Sequence, residues 1–482
     1  MTYSPALFRP APSACPPMPL LPPDHPERLA LADEVHARPP EPLVTPTRAS
    51  YVAVLLDADE RELERKHILR LFELSGAPPP ALAQNQFSTT LGAIRVKWER
   101  HGEFTGWTFF AAGRDETPFA TSATALLPAG WLTAMPGRTV TAAHALLLPG
   151  AGVVPDAAWL AQFFGGNPVL GGGIGGATSG SVAHAFTDFR IHADGRARFV
   201  LLDNGLTPNQ AGRMVQRLFE IEAYRMLALL ALPIARRQSP RIVAIEKSLA
   251  TLTDGIARED GNTVGPQASG TTPLPEGVGS TGRAGPTQEE LLHELTRLAA
   301  EVESGLAASQ FRFGACRAYA DLVRTRIAEL REQRLPGLQT IEEFMDRRFT
   351  PAVATCNTVS LRLHGLSERV AQASGLLATR VGIARERQNQ TLLGSMDRRA
   401  KLQLRLQQTV EGLSVAAISY YIAGLVGYMA KAAKSIGAPV NVDLLVGVAI
   451  PVVAVLSLLA IRRARRRIRA DEMSAPASKL HA

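Results

Sequence analysis

The sequence predicts an α+β head, followed by a long helical stalk or coiled-coil-like bundle and a C-terminal two-helix transmembrane hairpin. Three observations carry this. Strand-like runs dominate from Arg48 to about Asn204, helical periodicity takes over from Thr207, and two uncharged apolar stretches close the chain before a cluster of arginines. At 482 residues the chain is too long for one ordinary core, so several structural units are expected.

The first 23 residues are rich in proline and lack a basic start before an apolar core. They read as a disordered lead-in rather than a signal peptide. The head is placed at 24–205. Tyr51 to Leu56 is a buried-strand candidate, and Asp57 to Leu74 a charged amphipathic helix stopped by Gly76 to Pro80. Ala93 to Arg100 and Phe104 to Ala111 read as paired strands, and Thr139 to Leu148 as another. Asp156 to Phe164 reads as a short helix. Phe186 to His192 and Ala197 to Asp203 flank Asp194-Gly195, a hairpin signal. The expectation is a sheet with helices on one side.

The helical region is placed at 206–412. Met214, Leu218, Ile221, Arg225 and Leu229 trace one stripe, and Pro233 should end that helix or kink it. Residues 254–287 are poor in large apolar side chains and rich in Gly, Pro, Ser and Thr, which reads as a disordered insertion. Gln288 to Glu332 is helical again. After Pro351 no proline appears until Pro439, and Val359, Leu363, Leu366, Val370, Ala373 and Leu377 form a heptad-like seam. A helix unbroken from Ala352 to Ala430 would be roughly 120 Å long at about 1.5 Å per residue. Its seam would be covered either by a second copy in a homo-oligomer or by the chain's own helices.

The hairpin is placed at 413–461. Leu413 to Ala430 and Leu444 to Ile461 contain no charged residue, and the second ends in Arg462, Arg463, Arg465, Arg466, Arg467 and Arg469. Each arginine costs about 2.5–3.5 kcal/mol at a bilayer centre, so these six mark a boundary, and the positive-inside bias puts them in the cytoplasm. Arg398, Arg399, Lys401 and Arg405 flank the other end. A two-span protein of a bacterial inner membrane is expected, with both termini and the basic tail 462–482 cytoplasmic and the lipid bilayer as partner. Gly424 and Gly427 are candidates for close packing between the spans.

The net charge of +8 owes much to that local cluster, and nothing reads as a nucleic-acid surface. Cys15, Cys316 and Cys356 are an odd number and form no CxxC pair, which fits a reducing compartment. Gly171 to Gly176 fits GxGxxG literally, but Ser181 to Phe186 beyond it lead into an alternating strand and not a helix. A flexible turn is the better reading than a dinucleotide site.

Two polar rows are the candidate binding residues. Glu34, His36 and Arg38 alternate, so if extended they share a face, and Pro39 favours extension at Arg38. Glu99, His101 and Glu103 form a second row. His36, His101 and a carboxylate would suit a divalent metal, and Arg38 with Arg100 an anionic ligand, if the rows meet. No cofactor is otherwise implied, and no catalytic motif is present.

Several stretches resemble the bacterial membrane-anchored proteins grouped as domain-of-unknown-function family 3422. They are His25-Pro26, Asp33 to Pro40, Phe87-Ser88, Trp98 to His101 with Glu103-Phe104, Thr187 to Gly195, Tyr224 to Leu227 and Ser414 to Met429. The resemblance runs from about His25 to Arg463 and implies membrane anchoring without an activity. The layout is loosely similar to CorA-class magnesium channels, whose Gly-Met-Asn motif is replaced here by Gly427-Tyr428-Met429-Ala430-Lys431, with a cation beside the mouth. The expected function is therefore a non-enzymatic binding or sensing head tethered to the membrane. A CorA-like oligomeric cation channel is the alternative, and a metal-dependent enzyme of the head the second alternative.

Overall fold

A computed structural model of the chain describes residues 22–36, 38–80, 85–176, 182–262, 288–437, 439 and 441–473. The lead-in and most of the 254–287 insertion lie outside these residues. The chain divides into two compact units, Met1–Ser374 and Gly375–Ala482.

The first unit is α+β, built on one mixed sheet. Its strands are β1 (Thr47–Leu55), β2 (Gln86–Leu91), β3 (Ile94–Arg100), β4 (Phe104–Ala112), β5 (Arg138–Pro149), β6 (Leu170–Ile174), β7 (Ala183–Thr187), β8 (Ala197–Asp203) and β9 (Gln333–Arg334). They are ordered β2-β3-β4-β1-β5-β8-β7-β6-β9, and β5–β8 is a parallel pair among antiparallel neighbours. The near-continuous apolar run of β1 follows from its place in mid-sheet, where both faces are covered. The expected pairing of β3 with β4 is present, as is the β7–β8 hairpin around Asp194-Gly195, although β7 ends at Thr187.

Helices cover both faces of the sheet, not one. On one face α2 (Ala58–Ser75) packs Ile68, Leu71 and Phe72 on Trp98, Trp107 and Phe109, and α3 (Ala157–Phe164) packs Leu160 and Phe163 on Leu146 and Val200. On the other, α4 (Pro208–Leu229) stacks Phe219 on Tyr51 with ring centroids 5.2 Å apart. Strand alternation makes this possible, since Tyr51 and Val52 point to opposite faces. Asp57 with Glu60 starts α2, and Thr207 with Gln210 starts α4, each as a capping box with both reciprocal hydrogen bonds present.

Three expectations are corrected here. Arg28–His36 is a helix, α1, not an extended row; its described side chains are exposed, so burial left no periodicity to read. Helix α5 (Leu232–Asn262) carries residues 254–262, which composition alone assigned to a loop. Gly171 to Gly173 belong to strand β6 and not to a flexible turn, while Gly175, past the strand end, has φ 74°. A Cβ on Gly171 would stand 2.5 Å from the Phe186 ring, and one on Gly172 2.4 Å from Glu332, so glycine lets the neighbours close in.

The bundle continues with α6 (Gln288–Leu330), α7 (Ile341–Arg348) and α8 (Thr350–Ser435). The seam Val359, Leu363, Leu366, Val370, Ala373 and Leu377 is buried within the chain. Arg362 pairs with Glu246 of α5 at 2.7 Å, and Ser367 donates to Glu303 of α6, so the chain's own helices cover that stretch of the stripe.

In the second unit α8 continues to Ser435 and α9 runs Val442–Met473. The helical stretch Ile341–Ser435 is long and apolar enough to cross a membrane, and the apolar part of α9, Val442–Ser457, is shorter. Apolar side chains such as Leu413, Tyr420, Tyr421 and Leu425 are exposed on α8. A Cβ on Gly427 would lie 3.3 Å from the Val446 side chain, so glycine marks the close approach of α9; nothing lies within 4 Å of the same position on Gly424. Arg463 is exposed on α9, while the side chains of Arg462, Arg465, Arg466, Arg467 and Arg469 lie outside the described residues.

Candidate functional site

A cavity of about 240 Å³ lies between the sheet and α4. Alternation along β3 turns Lys97 and Glu99 to this face, and His101 follows just past the strand end. Tyr51 of β1 and Thr108 and Phe110 of β4 complete the floor. Helical spacing aligns Gly212, Gln216, Glu220 and Tyr224 on the facing side of α4, and Arg326 reaches in from α6. The segment after α1 closes the mouth with Arg38 and Glu41. Its backbone comes so near α4 that a Cβ on Gly212 would stand 1.8 Å from the Glu41 carbonyl.

Arg38 is held rather than free. Its backbone is left-handed, with φ 60°, where the following proline led the sequence to predict an extended residue. Its amide donates to the Gln86 side chain, one guanidinium nitrogen to Glu34 at 2.9 Å, and the other to the Arg100 carbonyl at 3.1 Å. Lys97 Nζ lies 2.9 Å from Glu99 and donates to the Pro39 carbonyl at 2.8 Å. Both side chains are buried, so the pair is satisfied by geometry and not by water.

The field of the cavity is balanced, with Arg38, Lys97 and Arg326 facing Glu41, Glu99 and Glu220. Burial pushes the Glu99 carboxyl up, and Lys97 opposes that rise. Burial, aided by the Arg38 and Lys97 cations, pushes His101 down to about 4, so its imidazole is neutral at pH 7. That ring stacks on Phe104 with centroids 4.2 Å apart. Burial also pushes the Tyr51 and Tyr224 hydroxyls up, leaving both protonated as donors. Glu220 accepts from Gln216 at 2.8 Å and from Arg326. The cavity thus offers fixed donors of both charged and neutral type, with aromatic faces between them.

The two predicted rows meet only in part. Arg38, Glu99 and His101 come together in the cavity. Glu34 is exposed on α1 and touches the site only through Arg38. His36 ends α1, and its side chain lies outside the described residues. Arg100 faces the opposite side of β3, 3.7 Å from Glu64 and over the Trp98 ring. Glu103 pairs with Arg312 at 2.6 Å, away from the cavity lining. Among the described residues no group of three His, Cys, Asp or Glu is placed to hold a metal ion. Sequence reasoning missed Lys97, Tyr51, Glu220, Tyr224 and Arg326. Lys97 was legible from strand alternation with Glu99, and Gln216, Glu220 and Tyr224 from their four-residue spacing. Nothing local pointed to Arg326.

A family model described as "Protein of unknown function (DUF3422)" matches residues 23–268 and 275–468. No curated protein and no solved structure matches. The chain belongs to the DUF3422 family.

Proposed function

We propose that this member of the family is a membrane-tethered binding protein whose α+β unit takes a small polar ligand in the cavity between β1, β3, β4 and α4. The observation that carries the reading is the convergence of Arg38, Lys97, Glu99 and His101 with two protonated tyrosines in one concave site. A ligand bearing both an anionic and a hydrogen-bond-donating group would meet Arg38 and Lys97 at one end and Glu99 and Glu220 at the other.

Anchoring by a two-span hairpin is part of the same proposal. It is supported by the uncharged stretches 413–430 and 444–461, by the glycine contact at Gly427, and by the arginine cluster from Arg462 to Arg469. Both termini would then face the cytoplasm of a bacterial cell at its inner membrane. Tethering is favoured over cation conduction because Lys431 and Lys434 stand exposed at the end of α8, where they would repel an entering cation.

Native mass spectrometry of the full chain in nanodiscs tests the binding proposal. A small molecule should accompany the wild type and be lost from an Arg38→Ala variant that still unfolds cooperatively. If the wild type carries nothing and gains no thermal stability from a panel of amino acids, dicarboxylates and nucleotides, the reading fails.

A further inference from the structure

We infer that the first unit holds a second binding site, for a planar aromatic small molecule, on the opposite face of the sheet from the polar cavity. A cavity of about 310 Å³ opens between β5, α3 and the loop after β4. Leu146 and Leu148 line it from the sheet, Trp159 and Phe163 from α3, and Phe119 and Val153 from the loops. Leu146 pairs with Arg48 across the strands, one residue out of phase with Ala49 and Tyr51, which places this lining on the face away from Tyr51.

The walls are aromatic and fixed. The Trp159 and Phe163 rings are 4.5 Å apart and tilted by 52°, and Phe119 stands edge-on to Phe163 at 6.3 Å. Phe119 has φ 60°, a conformation that costs about 1–3 kcal/mol for a bulky residue unless its surroundings hold it. Arg198 holds it, with its guanidinium 4.8 Å over the Phe119 ring and donating to the Phe163 carbonyl at 2.9 Å. The ring is thereby kept on the wall instead of filling the space.

Phe119, Leu148, Val153 and Trp159 are all only partly buried, so their apolar faces line the opening. Arg114, Glu116 and Gln162 are exposed at the rim, and the half-buried Asp115 that also lines the cavity is paired with Arg48 at 2.8 Å, so the polar groups at the mouth stand over an apolar floor of Leu146 and Leu148. An apolar cavity with a polar rim takes a ligand that is apolar inside and polar at its open edge. With Phe119, Trp159 and Phe163 set at different tilts in the lining, a flat aromatic ligand finds both stacked and edge-to-face partners, which a flexible apolar chain does not.

The test is a fluorine NMR titration of the full chain labelled with 5-fluorotryptophan in nanodiscs, with indole and 1-naphthol as probes and octanoate as the flexible apolar control. The chain's tryptophans are Trp98, Trp107, Trp131 and Trp159, and the first three sit in the core under α2, away from this cavity. Trp159→Phe assigns the reporting resonance. It should move saturably with indole or 1-naphthol while the other resonances stay in place, and Val153→Phe should weaken binding by about tenfold or more. Lys97→Met, in the other cavity, should leave the titration unchanged. If Val153→Phe does not fold, Gln162→Phe on the exposed rim replaces it. An unmoved Trp159 resonance, joint movement of all the resonances, wild-type affinity in a folded cavity-filling variant, or a response to octanoate alone would each overturn the inference.

Discussion

Lys97→Met tests whether the buried Lys97–Glu99 pair holds the polar cavity together. Lys97 is 4% exposed and lies 2.9 Å from Glu99, so truncating it leaves a buried carboxyl without its cation. Breaking one side of a buried pair costs about 3–5 kcal/mol. For a unit of this size that lowers the melting temperature by roughly 6–10 °C at about 2 °C per kcal/mol. The cost should also depend on pH. Burial already raises the Glu99 carboxyl, and Lys97 supplies the largest opposing contribution, so its loss raises that group further. A carboxyl raised in the folded state contributes stability that is full below its unfolded value and is lost as pH rises through the folded one. The variant should therefore sit closest to wild type near pH 5 and furthest below it at pH 8. Thermal melts of the full chain in nanodiscs at pH 5, 6.5 and 8 measure this. The Lys97→Met/Glu99→Gln double variant, which removes the buried charge, should recover much of the loss. A loss under about 1 kcal/mol at pH 8, or one that does not change with pH, would refute the reasoning.

Burial and nearby cations push His101 down to about 4, and burial does the same to His144, which sits 2.9 Å from Ser50. Below pH 6.5 the unfolded chain takes up protons that these folded imidazoles refuse, so stability should fall from pH 6.5 to 4; melts of His101→Gln and His144→Gln should show a shallower fall. Glu64→Gln should cost about 1–3 kcal/mol, because Glu64 is buried, accepts from Trp98 Nε1 at 3.0 Å and faces Arg100; denaturant titration followed by tryptophan emission reads it. Gly212→Ala should destabilise by about 1–3 kcal/mol and weaken any ligand of the polar cavity, because its methyl group meets the Glu41 carbonyl. In a Cys15→Ser background, a membrane-impermeant maleimide applied to intact cells stripped of their outer membrane should label Ser435→Cys but reach Ser395→Cys only after permeabilisation; the reverse pattern would invert the proposed topology.

Where burial writes a period into the chain, the sequence was readable. The uniform apolar run of β1, the paired strands β3 and β4, the Asp-Gly hairpin and the unbroken α8 all announce themselves locally, because apolar runs, alternation, turn residues and the absence of helix breakers can each be read within a few residues. Exposed or glycine-built segments did not. The described side chains of α1 are exposed and leave its turn unmarked, and β6 shows no alternation because its glycines leave their room to Phe186 and Glu332, while its pairing with β7 and β9 is tertiary.

For the candidate site, the sequence by itself determined which side chains share a strand face, so Glu99 and His101 could be placed together. The tertiary structure alone decided what stands opposite. It brought Arg38 in from a left-handed turn and Arg326 from α6, sent Arg100 to Glu64 on the far side, and covered the seam around Arg362 and Ser367 with α5 and α6. The physical reason is range. Alternation and helical period are fixed by backbone geometry within one element, whereas a cavity is defined by elements hundreds of residues apart, whose approach is set by packing that no single segment encodes.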